Sequence, residues 1–223
     1  MVKRALDVAI SAAFLVVLSP VMAAIAIAVY LSDPGPIIFR GRRIGRYGRS
    51  FAIFKYRSMR QRTAPGAAIT VGRDPRVTSV GRVLRATKLD ELPQLVNVLR
   101  GDMSLVGPRP EAPEYVEKYT LEQREVLNVR PGITGPSQVA FRHEEELLIG
   151  PDPEWYYLTT VMPAKLAIDR EYARNVSVWL DLRILARTAV SLVRPLPPPL
   201  PPRQIHEEPT KPQPLITAGT RDA

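Results

Sequence analysis

Between Ala5 and Leu31 the chain is apolar, interrupted only by Asp7, Ser11 and the pair Ser19-Pro20, and this run limits the fold more than any other stretch. At ~1.5 Å rise per residue it is long enough to cross a ~30 Å hydrocarbon core. The segment therefore meets lipid. One alternative is a cleaved signal peptide, since Ala26-Ile27-Ala28 has the small-residue pattern of a cleavage site. Asp7 and the dense arginines that follow, Arg40, Arg42, Arg43, Arg46 and Arg49, disfavour export. Pro20 removes a backbone donor in mid-run and kinks the helix, while Ser19 can satisfy the carbonyl that the proline frees. Basic residues flank both ends, so both prefer the cytoplasm. On these residues alone a re-entrant hairpin and a spanning helix both remain open.

A second stretch, Thr87 to Pro110, sets two adjacent carboxylates inside a basic segment and closes on Pro108-Arg109-Pro110. Leu89, Leu92, Leu95, Val96 and Leu99 recur at helical spacing, which predicts one buried face with Asp90, Glu91 and Gln94 off it. Proline is tolerated only in a first helical turn, so Asp90 is the expected N-cap and Pro93 the third helical residue. A helix N-terminus together with Arg85 and Lys88 stabilises negative charge, which predicts an ionised Asp90 and an affinity for phosphate. An ionised carboxylate beside a phosphate is a candidate nucleophile. Adjacent helical residues point about 100° apart, so Asp90 and Glu91 cannot be equivalent.

Three ordered motifs, Leu89-Asp90-Glu91-Leu92-Pro93-Gln94-Leu95, then Gly101 to Pro110, then Arg130-Pro131-Gly132-Ile133-Thr134-Gly135, resemble those of the bacterial sugar transferases, the monotopic phosphoglycosyl transferases. The resemblance runs from about Lys3 to about Arg194. It implies an α+β, mostly helical fold. Residues 1–36 would form a re-entrant helix-break-helix with its break at Ser19 and Pro20, dipping into one leaflet at the cytoplasmic face of the bacterial inner membrane. Residues 37–194 would form a compact membrane-associated catalytic domain with a short hairpin and amphipathic helices, and residues 195–223 a proline-rich disordered tail.

The reaction so implied moves a sugar-1-phosphate from a UDP-sugar to undecaprenyl phosphate and releases UMP, initiating exopolysaccharide, O-antigen or glycoprotein glycan assembly. Asp90 is then the expected nucleophile and Glu91 its metal-binding or proton-handling partner. Magnesium, with Arg85 and Arg109, neutralises the diphosphate. It prefers a few carboxylates plus phosphate oxygens, so Asp90 and Glu91 suffice as metal ligands. The resemblance also carries over Arg57, in Lys55-Tyr56-Arg57-Ser58-Met59, as a substrate-phosphate contact. Asp181 matches a family position tied to the site, to bind magnesium or orient a phosphate-binding arginine.

Composition supports an anionic partner without selecting one. The 31 Lys+Arg against 22 Asp+Glu leave a net charge of +9 over 223 residues, which suits nucleic acid, a lipid surface or a phosphorylated substrate. A basic nucleic-acid module and a scaffold presenting its proline tail are the two rivals, and neither explains the carboxylate pair; no nucleic-acid partner is expected. No cysteine is present, which excludes disulfides and thiolate metal sites, and His143 and His206 are too few for a histidine cluster. His143 is expected to be structural. A homo-oligomer is left open.

The glycines at 41, 45 and 48 match neither dinucleotide nor P-loop patterns. Ile37–Phe39 and Phe51–Phe54 are expected to pair as strands across Arg46-Tyr47-Gly48, with a basic loop between them. Asp74-Pro75-Arg76 is expected to open a helix that delivers Arg82 and Arg85 to the carboxylates. Beyond it the chain predicts a helix over Glu111–Asn128, an anion-binding loop over Arg130–Pro136, and helices over Pro153–Arg174 and Val178–Val193. The last is amphipathic through Leu182, Leu185, Ala189 and Leu192, and suits a core or a membrane interface equally. The segment Pro136–Leu148 departs from the commoner family pattern, which leaves the sugar open.

Overall fold

The structure is a computed structural model, and the residues it describes are 2–60, 74–142, 144–148 and 151–193. His143 and the proline tail lie outside them. Helix α1 (Val2–Val17) and helix α2 (Ser19–Ser32) are bent by 64° at Leu18. Pro20 cannot donate to Val16 O, and the Ser19 hydroxyl takes that carbonyl at 2.8 Å, so the break is locally satisfied. Among the described residues no single helix is long and apolar enough to cross a membrane, although the bent pair passes by length and composition together.

Strands β1 (Ile38–Ile44) and β2 (Ser50–Tyr56) form an antiparallel hairpin, with Phe39 opposite Lys55 and Arg43 opposite Phe51. The arginines expected in a loop, Arg40, Arg42 and Arg43, are strand residues instead. The turn is a single 3-10 turn, Arg46–Gly48, with Tyr47 and Gly48 at positive φ. Asp74–Arg76 does not open a helix. Thr78 does, accepting from Gly81 N–H at 2.9 Å as N-cap of α3 (Ser79–Thr87), a contact worth ~1 kcal/mol.

The dyad turn leads into α4 (Gln94–Arg100), after which β3 (Ser104–Val106) runs parallel to β4 (Gly132–Thr134). This pairing joins two of the sequence motifs. A Cβ on Gly107 would strike the backbone of Arg130 and Gly132, and one on Gly132 would strike that of Gly107, so only glycine lets the chains pass. The expected anion loop at Arg130–Pro136 is thus partly strand, and its Gly132 N–H is taken by Pro108 O at 2.9 Å. Between the two strands the expected long helix is only α5 (Pro113–Val116) and a 3-10 stretch, Gln123–Asn128.

Short helices α6 (Pro136–Ala140), α7 (Glu144–Leu147) and α8 (Pro153–Tyr156) follow. A π turn, Tyr157–Val161, joins α8 to α9 (Met162–Arg174), and α10 (Val178–Val193) closes the described chain. The main core packs Tyr115, Val116, Tyr119 and Val126 against Tyr157, Val161, Met162 and Leu166. The N-terminal helices share two further clusters with the rest of the chain: Ile10 and Leu15 beside Leu95 and Ile184, and Ile25 and Val29 beside Tyr56 and Leu84. On α10 the inward line is Asp181, Ile184 and Ser191. Leu182, Trp179 and Val190, half or more exposed, face outward, while Leu185 packs against the cluster of Leu95 and Ile184, so the expected apolar line is divided between surface and core.

Candidate active site

Lys88 ends α3 in a left-handed conformation, φ 60°, and turns the chain at once into a 3-10 turn, Leu89–Glu91. Asp90 is therefore not the helix N-cap, and Pro93 stands at the N-cap of α4 rather than at its third residue. The reason is the missing proline N–H. Pro93 cannot reach back to Leu89 O, Leu92 N–H takes that carbonyl at 3.3 Å, and the tighter i→i+3 pattern results. Nor do the polar residues lie off the buried face, since Asp90, Glu91, Gln94 and Asn97 are all buried while Leu99 is 37% exposed. Asn97 explains part of this by bonding the backbone of β2 at Ala52 O and Phe54 N–H.

The two carboxylates have different surroundings. Lys55 Nζ donates to Glu91 Oε1 at 2.7 Å, and Arg109 lies 3.8 Å from the same oxygen. Burial alone would raise the Glu91 pKa, but Lys55 and Arg109 outweigh it and hold the carboxyl down at about 2. For Asp90 burial wins. Its carboxyl is pushed above the ordinary range, with Lys55, Lys88 and Arg85 opposing and Glu91 assisting, which is the reverse of the shift that a helix-end position predicts. Asp90 Oδ1 is buried with no hydrogen-bond partner. One carboxylate is thus held as an ion by two cations, and the other is buried with an oxygen left unbonded.

Both line a cavity of about 710 Å³. Seven cationic side chains border it, Lys55, Arg82, Arg85, Lys88, Arg109, Arg142 and Lys165, against four carboxylates. Arg82 and Arg85 arrive on α3 as their spacing predicts. Arg109 is presented between two prolines just after the β3–β4 contact, within 3.4 Å of Gln138 Oε1.

Two candidate residues lie elsewhere among the described contacts. Arg57 is buried and turned to the chain leaving α2, where its guanidinium bonds Asp33 O and lies 3.5 Å from Asp33 Oδ2. Asp181 bonds Lys3 Nζ at 2.5 Å and the Tyr172 hydroxyl at 2.6 Å, with no arginine among these partners. Each ties the N-terminal helices to the rest of the chain. Conversely, sequence reasoning gave no role to Lys55, Gln138, Arg142, Glu144 or Lys165. Lys55 was legible, because it lies two residues beyond Ile53 and so shares the strand face on which that side chain is buried. The other four come together only through the packing of α6 and α7 on α9 and α10.

Among the described residues no group of three or more acidic or histidine side chains is arranged to hold a metal. Asp90, with its unbonded Oδ1, and Glu91 are the residues that would hold a magnesium ion, since that ion takes few protein carboxylates alongside phosphate oxygens.

Comparison with known proteins supplies the family. The bacterial sugar transferase family model matches residues 1–195. The UDP-glucose:undecaprenyl-phosphate glucose-1-phosphate transferase of Escherichia coli K12 is 42% identical over 193 residues, covering 84% of this chain and 39% of that protein. The UDP-N-acetylgalactosamine-undecaprenyl-phosphate N-acetylgalactosaminephosphotransferase of Aeromonas hydrophila is 38% identical, covering 84% of this chain and 42% of its own length. The exopolysaccharide production protein PSS of Rhizobium leguminosarum bv. phaseoli is 37% identical over 85% of this chain and 94% of its own. This chain therefore spans about two fifths of the first two relatives and nearly all of the third. With its three motifs gathered around one cation-lined cavity and the family match running through nearly all of the described chain, the protein belongs to the bacterial sugar transferases.

Proposed function

We propose that this protein transfers a sugar-1-phosphate from a UDP-sugar to undecaprenyl phosphate and releases UMP. The carrying observation is the asymmetry of the dyad: a buried Asp90 with an unbonded oxygen beside a Glu91 clamped by Lys55, both on a cavity rich in cations. The names of the relatives give the same reaction class for the two whose substrates are printed. The bent, apolar α1–α2 pair and the exposed Trp179, Leu182 and Val190 of α10 favour a monotopic seat on the cytoplasmic face of the inner membrane.

In this mechanism the donor diphosphate sits among Arg82, Arg85, Lys88 and Arg109, which cancel the repulsion between an anionic phosphate and an attacking carboxylate. An Asp90 oxygen attacks the phosphorus that bears the sugar. The bond from that phosphorus to the oxygen bridging to UMP breaks, UMP leaves with the electron pair, and an aspartyl phosphosugar remains. An oxygen of the lipid phosphate then attacks the same phosphorus, the acyl-phosphate bond breaks, and the Asp90 carboxylate returns. Burial makes Asp90 more basic and hence more nucleophilic, while Glu91 keeps its charge for metal binding or orientation. Magnesium, held by Asp90 and Glu91, would supply further charge neutralisation.

The test gives detergent-solubilised protein undecaprenyl phosphate, magnesium and a panel of UDP-sugars, and scores UMP. Release with at least one sugar, dependent on both substrates over many turnovers, is expected. A folded protein that releases none with every sugar refutes the reading.

A further inference from the structure

On the side of the cavity built from α6, α7, α9 and α10, Arg142, Glu144, Lys165, Gln138, Thr188 and Ser191 form a polar wall that the phosphate chemistry does not need. Its parts are held in place. Lys165 Nζ, buried, donates to Glu144 Oε2 at 2.7 Å and lies 3.7 Å from Glu111. The Arg142 guanidinium bonds Ser191 Oγ at 3.2 Å and Ala86 O at 3.5 Å, so it bridges α10 and α3. Thr188 and Thr134 share a 2.8 Å hydroxyl contact across the cavity floor. Burial would raise the Glu144 pKa, yet Lys165 and Arg109 prevail and keep it below the ordinary carboxylate range.

Charge decides what this wall faces. A fixed carboxylate repels phosphate, so the part of the ligand at Glu144 is neutral, while the diphosphate lies with the cations around Asp90. Among the described residues the aromatic ring on the cavity lining is Phe141, which is 4% exposed and packed in the main core, so it offers no free face for stacking a base. Carboxylate, guanidinium, amide and hydroxyl groups held at fixed angles instead match vicinal sugar hydroxyls, and a site built to hydrogen-bond a hydroxyl discriminates strongly against a ligand that lacks or inverts it.

We propose that the wall of Arg142, Glu144 and Gln138, braced by Lys165 and Ser191, binds the sugar of the nucleotide-sugar donor and selects among its epimers. This rests on the reaction proposed above. It places selectivity in α6 and α7, within the segment 136–148 that departs from the commoner family pattern.

The experiment compares the full-length protein with Glu144→Gln and Arg142→Lys, titrating UDP-glucose, UDP-galactose, their N-acetylhexosamine counterparts and UMP by calorimetry, alongside UMP release. Both variants are expected to weaken binding of the preferred UDP-sugar at least tenfold and to change the ranking of the panel. UMP affinity is expected to stay within twofold, which also reports that each variant is folded. A parallel loss of UMP affinity in a variant with unchanged thermal unfolding assigns this end to the nucleotide and overturns the proposal, as does an unchanged ranking. Absence of turnover with intact UDP-sugar binding refutes the transfer reaction alone, because the titration still decides the sugar wall. If the two variants lose their fold, Gln138→Glu takes their place, with the same expected and refuting results.

Discussion

The Ser104 hydroxyl donates to Asp7 Oδ2 at 2.8 Å, joining the first helix to the β3 strand across 97 positions of chain. The same carboxylate accepts from Leu105 N–H at 3.3 Å, and the neighbouring Lys3 reaches Val106 O and Asp181. A charge inside an apolar run is thus explained by what it holds. Because β3 leads directly to Arg109, this clamp also positions the cavity wall. Asp7→Ala leaves a buried hydroxyl and an amide unpaired and is expected to cost about 2–4 kcal/mol. Thermal unfolding in detergent reads it, and a melting temperature unchanged within a degree would rule out the clamp.

Topology follows from Ser19 and Pro20. With both replaced by alanine the Val16 carbonyl regains a normal helical donor, and the 64° bend loses its cause. The double variant is expected to straighten and to shift its N-terminus to the periplasm, whereas the wild-type N-terminus should be accessible only from the cytoplasm. Site-directed labelling of residue 2 in spheroplasts and in inverted vesicles distinguishes the two. A variant that keeps a cytoplasmic N-terminus would show that the break is held by other residues.

Asp90→Asn is expected to lower turnover by about 10³-fold or more, since an amide of nearly the same shape is a poor nucleophile. Wild-type protein incubated with labelled UDP-sugar and no lipid should retain label until undecaprenyl phosphate is added, and the variant should retain none. Stability should move the other way. Because the folded pKa of Asp90 is raised above its ordinary 3.8, its contribution is favourable in acid and is lost as pH rises through the folded value. At neutral pH the asparagine variant should therefore melt at the same temperature or higher. Label mapping to another residue would demote Asp90 to a metal ligand.

For Glu91 the sign is opposite. Its carboxyl is lowered from 4.5 to about 2, so the stability it contributes is fully present above pH 4.5 and is lost as pH falls towards about 2. Lys55→Met removes the 2.7 Å partner and leaves a mostly buried carboxylate underpaired, at a cost of about 3 kcal/mol. Acid unfolding of this variant should begin at higher pH than in the wild type. Coincident acid transitions would show that the pair contributes little.

Arg109 lies where a planar, two-pronged cation is useful, between Glu91 and Gln138 on the cavity wall. Arg109→Lys keeps the charge and gives up the paired donors, and about 10²-fold loss in kcat/KM for the UDP-sugar is expected. Near-normal kinetics would reduce Arg109 to a structural role.

Local chemistry was legible in the chain itself. The break at Ser19-Pro20, the hairpin around Tyr47-Gly48, the arginine-bearing helix and the adjacency of Asp90 and Glu91 all depend on residues close in sequence, where proline, glycine and helical periodicity act directly. The family, too, rests on short motifs of this kind. Tertiary structure decided which charges meet. Glu91 found Lys55 from 36 positions away, Lys3 and Asp181 from 178, and Arg57 turned to Asp33 instead of to the cavity. A pattern reading treats buried positions as apolar, so it misplaced Gln94 and assigned Asp90 the ionisation of an exposed helix end. Burial and long-range pairing set the energy of a charge, and neither is a property of its neighbours in sequence.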